Sequence, residues 1–275
     1  MTQPPRPSRL WQNLTWPEIQ ALDPARTVAV LPVAAIEQHG PHLPLSVDAD
    51  INAGLLTRTL ELIPADVPAL LLPPQVVGYS LEHTDFPGTL SHDPETLRRV
   101  WVEIGQSVRR AGVSKLLILN SHGGQPQVAG IVARELRAAA DMMVVTAASF
   151  ALGLPADLPG GMFPDDELRH GIHGGAIETS LMLHLRPDAV RRDKIAAFPS
   201  AARQVEKDYK LLRLESEAVQ TAWMTQDLNS DGACGDARLA TAEAGRAILD
   251  HMAERLVRLL TEIAAYPLAN LKTRA

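Results

Sequence analysis

The chain has 275 residues, 46% hydrophobic and 21% charged, with a formal net charge of −6; this composition fits a folded globular protein, excludes long disordered tracts and offers no basic footprint for nucleic acid. A lone cysteine, Cys234, excludes an internal disulfide framework, and no stretch reaches the roughly 20 apolar residues that span a bilayer. The start Met1-Thr2-Gln3-Pro4-Pro5-Arg6 lacks the apolar run of a secretion signal, so a cytoplasmic protein without membrane partners is expected.

The first strongly apolar run, Thr27 to Val33, reads as a buried strand. Directly beyond it stands Glu37-Gln38-His39-Gly40-Pro41-His42-Leu43-Pro44-Leu45-Ser46-Val47-Asp48, which places four metal ligands or proton carriers where ligand sites form in a parallel sheet. A surface loop with a helix cap needs one Asp or Ser, not a histidine pair flanked by two carboxylates. From Asp48 to Ile63, apolar Ile51, Leu55, Leu56, Leu60 and Ile63 recur at three- and four-residue steps, predicting an amphipathic helix.

Ala69 to Leu72 is the second predicted strand. A helix over Pro94 to Ala111 follows, capped by Asp93, opened by Pro94 and ended by Gly112. Lys115 to Leu119 is the third strand, a helix follows Gly123-Gly124, and Met142 to Ala147 is the fourth strand. Leu152 to Gly175, rich in Pro and Gly, reads as an irregular active-site or assembly loop; helices follow at about Glu178 to Leu185 and Ala240 to Ile263. The alternation predicts an α/β protein with a mainly parallel sheet covered by helices. No clean linker or repeat interrupts it, so one domain over 1–275 is expected.

Two further polar clusters follow. Asn120-Ser121-His122-Gly123-Gly124-Gln125 closes the third strand, so two strand ends offer ligands to one crevice. Its glycines allow a sharp turn, and their N–H groups could hold an oxyanion. A phosphate-cradling loop is a competing reading, but the Gly-x-x-x-x-Gly-Lys pattern is missing. A Ser121–His122 nucleophile pair is another, against which adjacent strand residues face opposite sides and no Gly-x-Ser-x-Gly elbow is present. The third cluster runs from His170 to Ser180 and includes His173 and Glu178; alone, Glu178 would be a helix-dipole partner. Cys234, in Asp231-Gly232-Ala233-Cys234-Gly235-Asp236 without a neighbouring histidine, reads as inert.

These clusters, with Gly78-Tyr79-Ser80, His83, Phe86-Pro87-Gly88-Thr89 and Gly235-Asp236-Ala237-Arg238-Leu239-Ala240-Thr241, resemble the creatininase family of metal-dependent amidohydrolases over most of the chain. The resemblance implies a three-layer α/β/α fold, two divalent metal ions per chain (zinc, manganese or iron) and a homohexamer. It implies Glu37, His39, Asp48, His122 and Glu178 as metal ligands, with Asp48 bridging. Mixed oxygen and nitrogen ligation excludes the thiolate-rich structural zinc class. His173 would be the general acid–base group, and Ser80 and the Gly123-Gly124 backbone would touch substrate. His42 is either a partner orienting a ligand or a core residue.

The expected reaction is hydrolysis of an amide C–N bond in a small molecule, in which the ions activate water and polarise the carbonyl. Members acting on creatinine have an aromatic residue and then a metal-binding carboxylate where this chain has Gly123 and Gly124, and a tryptophan where it has Arg169. Creatinine is therefore expected to be a poor substrate, with Arg169 either binding an anionic or hydrogen-bond-accepting group or pointing to solvent or a neighbouring subunit. A metallopeptidase acting on a modified peptide and a non-catalytic ligand-binding relative are the alternatives.

Overall fold

A computed structural model describes residues 8–155, 161–214, 219 and 221–272. Four parallel strands, β1 (Val28–Val33), β2 (Ala69–Leu71), β3 (Lys115–Asn120) and β4 (Met143–Ala148), form a sheet in the order β2-β1-β3-β4. The short α1 (Trp16–Gln20) precedes β1, while α2 (Val47–Leu62), α3 (Pro94–Arg110) and α4 (Pro126–Ala140) connect successive strands. After β4 come α5 (Asp165–His170), α6 (Ala176–Leu185), α7 (Ala202–Asp208), α8 (Thr225–Leu228) and α9 (Ala242–Ala265). A two-stranded antiparallel ribbon pairs β5 (Ala197–Phe198) with β6 (Gly235–Asp236).

Alternation along each strand splits the core into two layers. Val28, Val30, Leu117 and Leu119 pack with Ile51, Leu55, Leu181, Ile248, Met252 and Leu256 of α2, α6 and α9. Ala29, Leu31, Leu116 and Ile118 face Leu97, Trp101, Val132 and Leu136 of α3 and α4. The three-layer α/β/α arrangement expected from the sequence is therefore present, and the four predicted strands are its sheet. Both faces of β1 and β3 are buried, which is why these strands read as continuous apolar runs rather than alternating ones.

The sheet register decides where the chemistry can assemble. Val33 at the end of β1 lies opposite Asn120 at the end of β3, so the polar segments that follow open at one edge. The chain leaves β1 for β2 on one side and later adds β3 on the other, the crossover geometry that leaves a crevice at strand carboxyl ends. At the opposite edge, fully buried Lys115 donates from Nζ to the carbonyls of Ile263, Ala264 and Tyr266 at 2.9, 2.8 and 2.7 Å, closing the end of α9 against β3.

Some boundaries differ from expectation. The Leu152 to Gly175 segment is not wholly irregular: α5 lies inside it, and residues 156–160 fall outside the described residues. α6 begins at Ala176, two residues before Glu178, and α9 begins at Ala242 behind the capping Thr241. Asp93 caps α3 as expected, accepting from the N–H groups of Glu95 and Thr96. No helix among the described residues is long and apolar enough to cross a membrane.

Candidate metal centre

The β1–α2 loop is built to bend inward. Gly40 has φ +70°, and a Cβ there would stand 2.8 Å from the Cβ of Ala233, so the turn that presents His39 requires glycine. Asp48 lies in the first turn of α2, where Ser121 Oγ donates to its carbonyl at 2.9 Å. Asn52, one turn further, donates toward the Val33 and Leu119 carbonyls and Ser121 Oγ at 3.3, 3.3 and 3.2 Å, fastening α2 to both strand ends. Ser121 is thereby committed to α2 while His122 turns toward Glu37, which removes the nucleophile-pair reading. Asn120 holds His122 from both sides: Oδ1 accepts from the His122 N–H at 3.0 Å and Nδ2 donates to its carbonyl at 2.6 Å.

Five side chains expected to meet do meet, and all are buried. His122 Nδ1 lies 3.1 Å from Glu37 Oε1 and 3.5 Å from Asp48 Oδ2. His39 Nε2 lies 3.8 Å from Asp48 Oδ1 and 3.9 Å from Glu178 Oε2. Glu37, Asp48 and His122 thus form one triad and His39, Asp48 and Glu178 a second, each with ligand atoms within 4.8 Å of one another. Asp48 is common to both and turns one oxygen to each.

The hydrogen bonds fix which imidazole nitrogens face inward. His122 Nε2 is 2.8 Å from the Tyr79 carbonyl and His39 Nδ1 is 3.0 Å from the Glu37 carbonyl, so each donates there and turns its other ring nitrogen toward the carboxylates. His39 Nε2, Glu37 Oε2 and Asp48 Oδ2 are buried without a hydrogen-bond partner. Such orphaned atoms are costly unless a cation sits among them. With metal–ligand bonds of roughly 2.0–2.2 Å, the edges of a tetrahedral site measure about 3.4 Å, within the range of the spacings here. The donor set fits divalent metal.

Electrostatics agrees. Burial and the adjacent Glu37 push the Asp48 carboxyl well above its ordinary value, and burial raises Glu178. Burial also opposes ionisation of Glu37, but His122 and its hydrogen bond outweigh it and hold that carboxyl far below the usual range. His122 shows the mirror image: burial lowers it, yet Glu37 and Asp48 lift it to about 10. A proton on His122 does there what a cation would do.

His173 is brought to the same place. Its ring stacks on His39 with centroids 4.1 Å apart and lies 4.3 Å from His83. It lies in the segment expected to be an irregular loop, yet it is tied down: the Cys234 N–H donates to its carbonyl at 2.6 Å and its Nε2 donates to the Gln38 carbonyl at 2.7 Å. Glu37, His39 and His173 also bring ligand atoms within 4.8 Å of one another. Glu178 accepts from the N–H of Gly174, whose φ of +65° turns the chain into α6. His42 does not join the triads. It is buried against Phe198 and 2.9 Å from Thr179 Oγ1, and burial lowers its pKa to about 4.

Of the expected substrate contacts, Ser80 is buried with Oγ 3.4 Å from His122 Nε2, and Gly123 is exposed at the rim with open space around it. Arg169 is not brought to the cluster. It projects from α5 with 60% of its side chain exposed, and its Nη2 pairs with Glu206 Oε1 at 2.9 Å.

A sequence model of the creatininase family, described as creatinine amidohydrolase, matches residues 12–260. The chain belongs to the creatininase family. It is 31% identical over 227 residues to the mycofactocin precursor peptide peptidase of Mycolicibacterium smegmatis, covering 82% of this chain and 81% of that one. It is 35% identical over 202 residues to the creatinine amidohydrolase of Pseudomonas putida, covering 69% and 76%. The solved structure named Creatininase Mn aligns with a TM-score of 0.73 at 26% identity, covering 94% of this chain and 100% of that one.

Beside the expected ligands of this creatininase-family centre lie residues to which sequence reasoning gave no role. His83 Nε2 is 3.3 Å from Glu37 Oε1, while its Nδ1 is 2.8 Å from both Gln38 Nε2 and Thr225 Oγ1. Glu82 comes close to both His122 and His83. Buried Glu167 accepts from the N–H groups of Ala176 and Asp236 at 2.7 and 2.6 Å, tying α5 to α6 and β6. The one available signal for the first two was the Glu82-His83 pair, one residue beyond Ser80, within the connection from β2 to α3.

Proposed function

We propose that this chain is a divalent-metal-dependent hydrolase of an amide C–N bond, working as one catalytic domain over 1–275. Glu37, Asp48 and His122 hold one ion, and His39, Asp48 and Glu178 hold the other. The observation that carries this reading is Asp48: a buried carboxylate whose two oxygens face two different histidines, among three ligand atoms with no hydrogen-bond partner. Zinc, manganese or iron bound there would make water nucleophilic near neutral pH and polarise the amide carbonyl.

The protein's own contribution is orientation and proton transfer. The Tyr79 and Glu37 carbonyls hold two imidazoles in the tautomers that ligation requires. His173, with Nε2–H tied to the Gln38 carbonyl, leaves Nδ1 to take up the proton that the attacking water gives up and pass it to the departing amine. Ser80 and the Gly123 backbone flank the substrate. The exposed, unfilled space at Gly123 supports an amide larger than creatinine. A modified peptide is the second reading, favoured by the relative of that activity, which aligns over most of both chains. A homohexamer, expected from the resemblance, belongs to the same proposal and is read by light scattering.

Elemental analysis of dialysed protein is the test. About two ions per chain, with amide hydrolysis lost on chelation and regained on adding zinc or manganese, is the expected result. About one ion points to a mononuclear peptidase instead, and none to a ligand-binding scaffold.

A further inference from the structure

Glu82 is a carboxylate that the centre described so far leaves unused. It sits on the 3-10 turn Leu81–His83, where Thr225 Oγ1 donates to its carbonyl at 2.8 Å and only 15% of its side chain is exposed. Its Oε1 lies 3.7 Å from His122 Nε2 and 4.0 Å from His83 Nε2. It reaches there because residue 124 is glycine. A Cβ on Gly124 would stand 1.9 Å from Glu82 Oε1 and 2.5 Å from His122 Nε2. The carboxylate of one loop therefore fills the volume of an absent side chain on another.

That placement puts a negative charge on the outer edge of His122, whose inner edge faces Glu37 and Asp48. A carboxylate behind a metal-ligating imidazole makes the imidazole a stronger donor, and removing such a partner typically lowers metal affinity.

The geometry points to Glu82 as a positioning residue of the metal centre: from the space that Gly124 leaves open, it acts through His122 to tighten the ion held by Glu37, Asp48 and His122. This inference rests on the metal-dependent reading above. It predicts that affinity is lost at one of the two ions while the His39–Asp48–Glu178 ion is unaffected.

The test is competitive titration of zinc into the metal-free full chain against a fluorescent chelator. Glu82→Gln should weaken one of two binding events by roughly 10- to 100-fold and spare the other. Gly124→Ala, whose Cβ would press on Glu82 Oε1 and on the His122 ring, should lower the same site further. Melting of the metal-free proteins by circular dichroism separates this from unfolding, and Glu82→Ala carries the test should Glu82→Gln fail to fold. Two wild-type affinities in Glu82→Gln, or equal losses at both sites, overturn the inference alone. A wild-type chain that binds no zinc overturns it together with the proposed function.

Discussion

The two halves of the candidate centre are held by different means. Glu37, Asp48 and His122 stand at the ends of β1 and β3 and on the first turn of α2. The parallel register aligns Val33 with Asn120, and Asn52, Ser121 and Asn120 stitch the ends together. His39 and His173 stand on turns instead and Glu178 on the first turn of α6, shaped by Gly40 and Gly174 at positive φ, joined to β6 by the bridge between His173 and Cys234, and backed by Glu167. The first half is fixed by the sheet, whose core it shares. In the second, Glu178 rides on α6, which shares the main core through Ala176, Leu181 and Met182, while His39 and His173 are held by a few backbone bonds beside a small buried cluster of Phe198, Ala233 and Ala237. An ion held by Glu37, Asp48 and His122 should therefore be the more robust, and proton transfer at His173 should be the property most easily lost.

Asp48 is the one residue both halves share, so its loss should have the largest effect. Asp48→Ala removes an oxygen facing each histidine and exposes each ion to the repulsion of the other. Metal content after dialysis should fall at both sites and amide hydrolysis to background. Wild-type metal content in that variant would contradict the bridging assignment. His173→Ala should come next, and it should separate the halves: both ions retained, rate reduced by about 10²- to 10⁴-fold. Should it lose one ion instead, His173 belongs with Glu37 and His39 as a ligand, and the second half would hold metal without supplying a proton carrier.

The sequence showed the first half more clearly than the second, for physical reasons. β1 and β3 are buried on both faces, so they read as unbroken apolar runs, and the ligands follow them within a few residues. Helices α2, α3 and α9 are long enough to display their period. α5 has six residues, too few for periodicity to register against a Pro- and Gly-rich background. Glu178 looked like a dipole partner because it is one by position, accepting the Gly174 N–H at the start of α6; only its approach to His39 marks it as more. Glu82 and His83 follow a three-residue strand with no local pattern, and what brings them in is contact with Gln38, Thr225 and the vacancy over Gly124. Such contacts have no signature in the linear sequence.

Glu167 tests whether the second half depends on its backing. Glu167→Ala would strand the Ala176 and Asp236 N–H groups in a buried setting among Gly171, Gly175 and Gly235, and each unsatisfied donor costs about 1–3 kcal/mol. The melting temperature should fall, and the rate should fall further than metal affinity at the Glu37–Asp48–His122 ion, measured by titration. Equal losses in both halves would mean that they form one mechanical unit.

The smallest effect is expected at Arg169, and it bears on what the second half recognises. The chain position four residues before His173 invites a role over the substrate, which the sequence alone supports. In the folded chain its guanidinium is engaged by Glu206, 37 residues away, at 3.1 Å from Nε and 2.9 Å from Nη2, on the surface of α5. An exposed pair of this kind is worth at most about 1 kcal/mol. Arg169→Ala should therefore leave metal content, stability and the ranking of amide substrates nearly unchanged, as kcat/KM across creatinine, formylated amides and carboxylate-bearing amides would show. A selective loss of the carboxylate-bearing substrates would mean that substrate draws Arg169 away from Glu206, turning an idle surface pair into a specificity element beside His173.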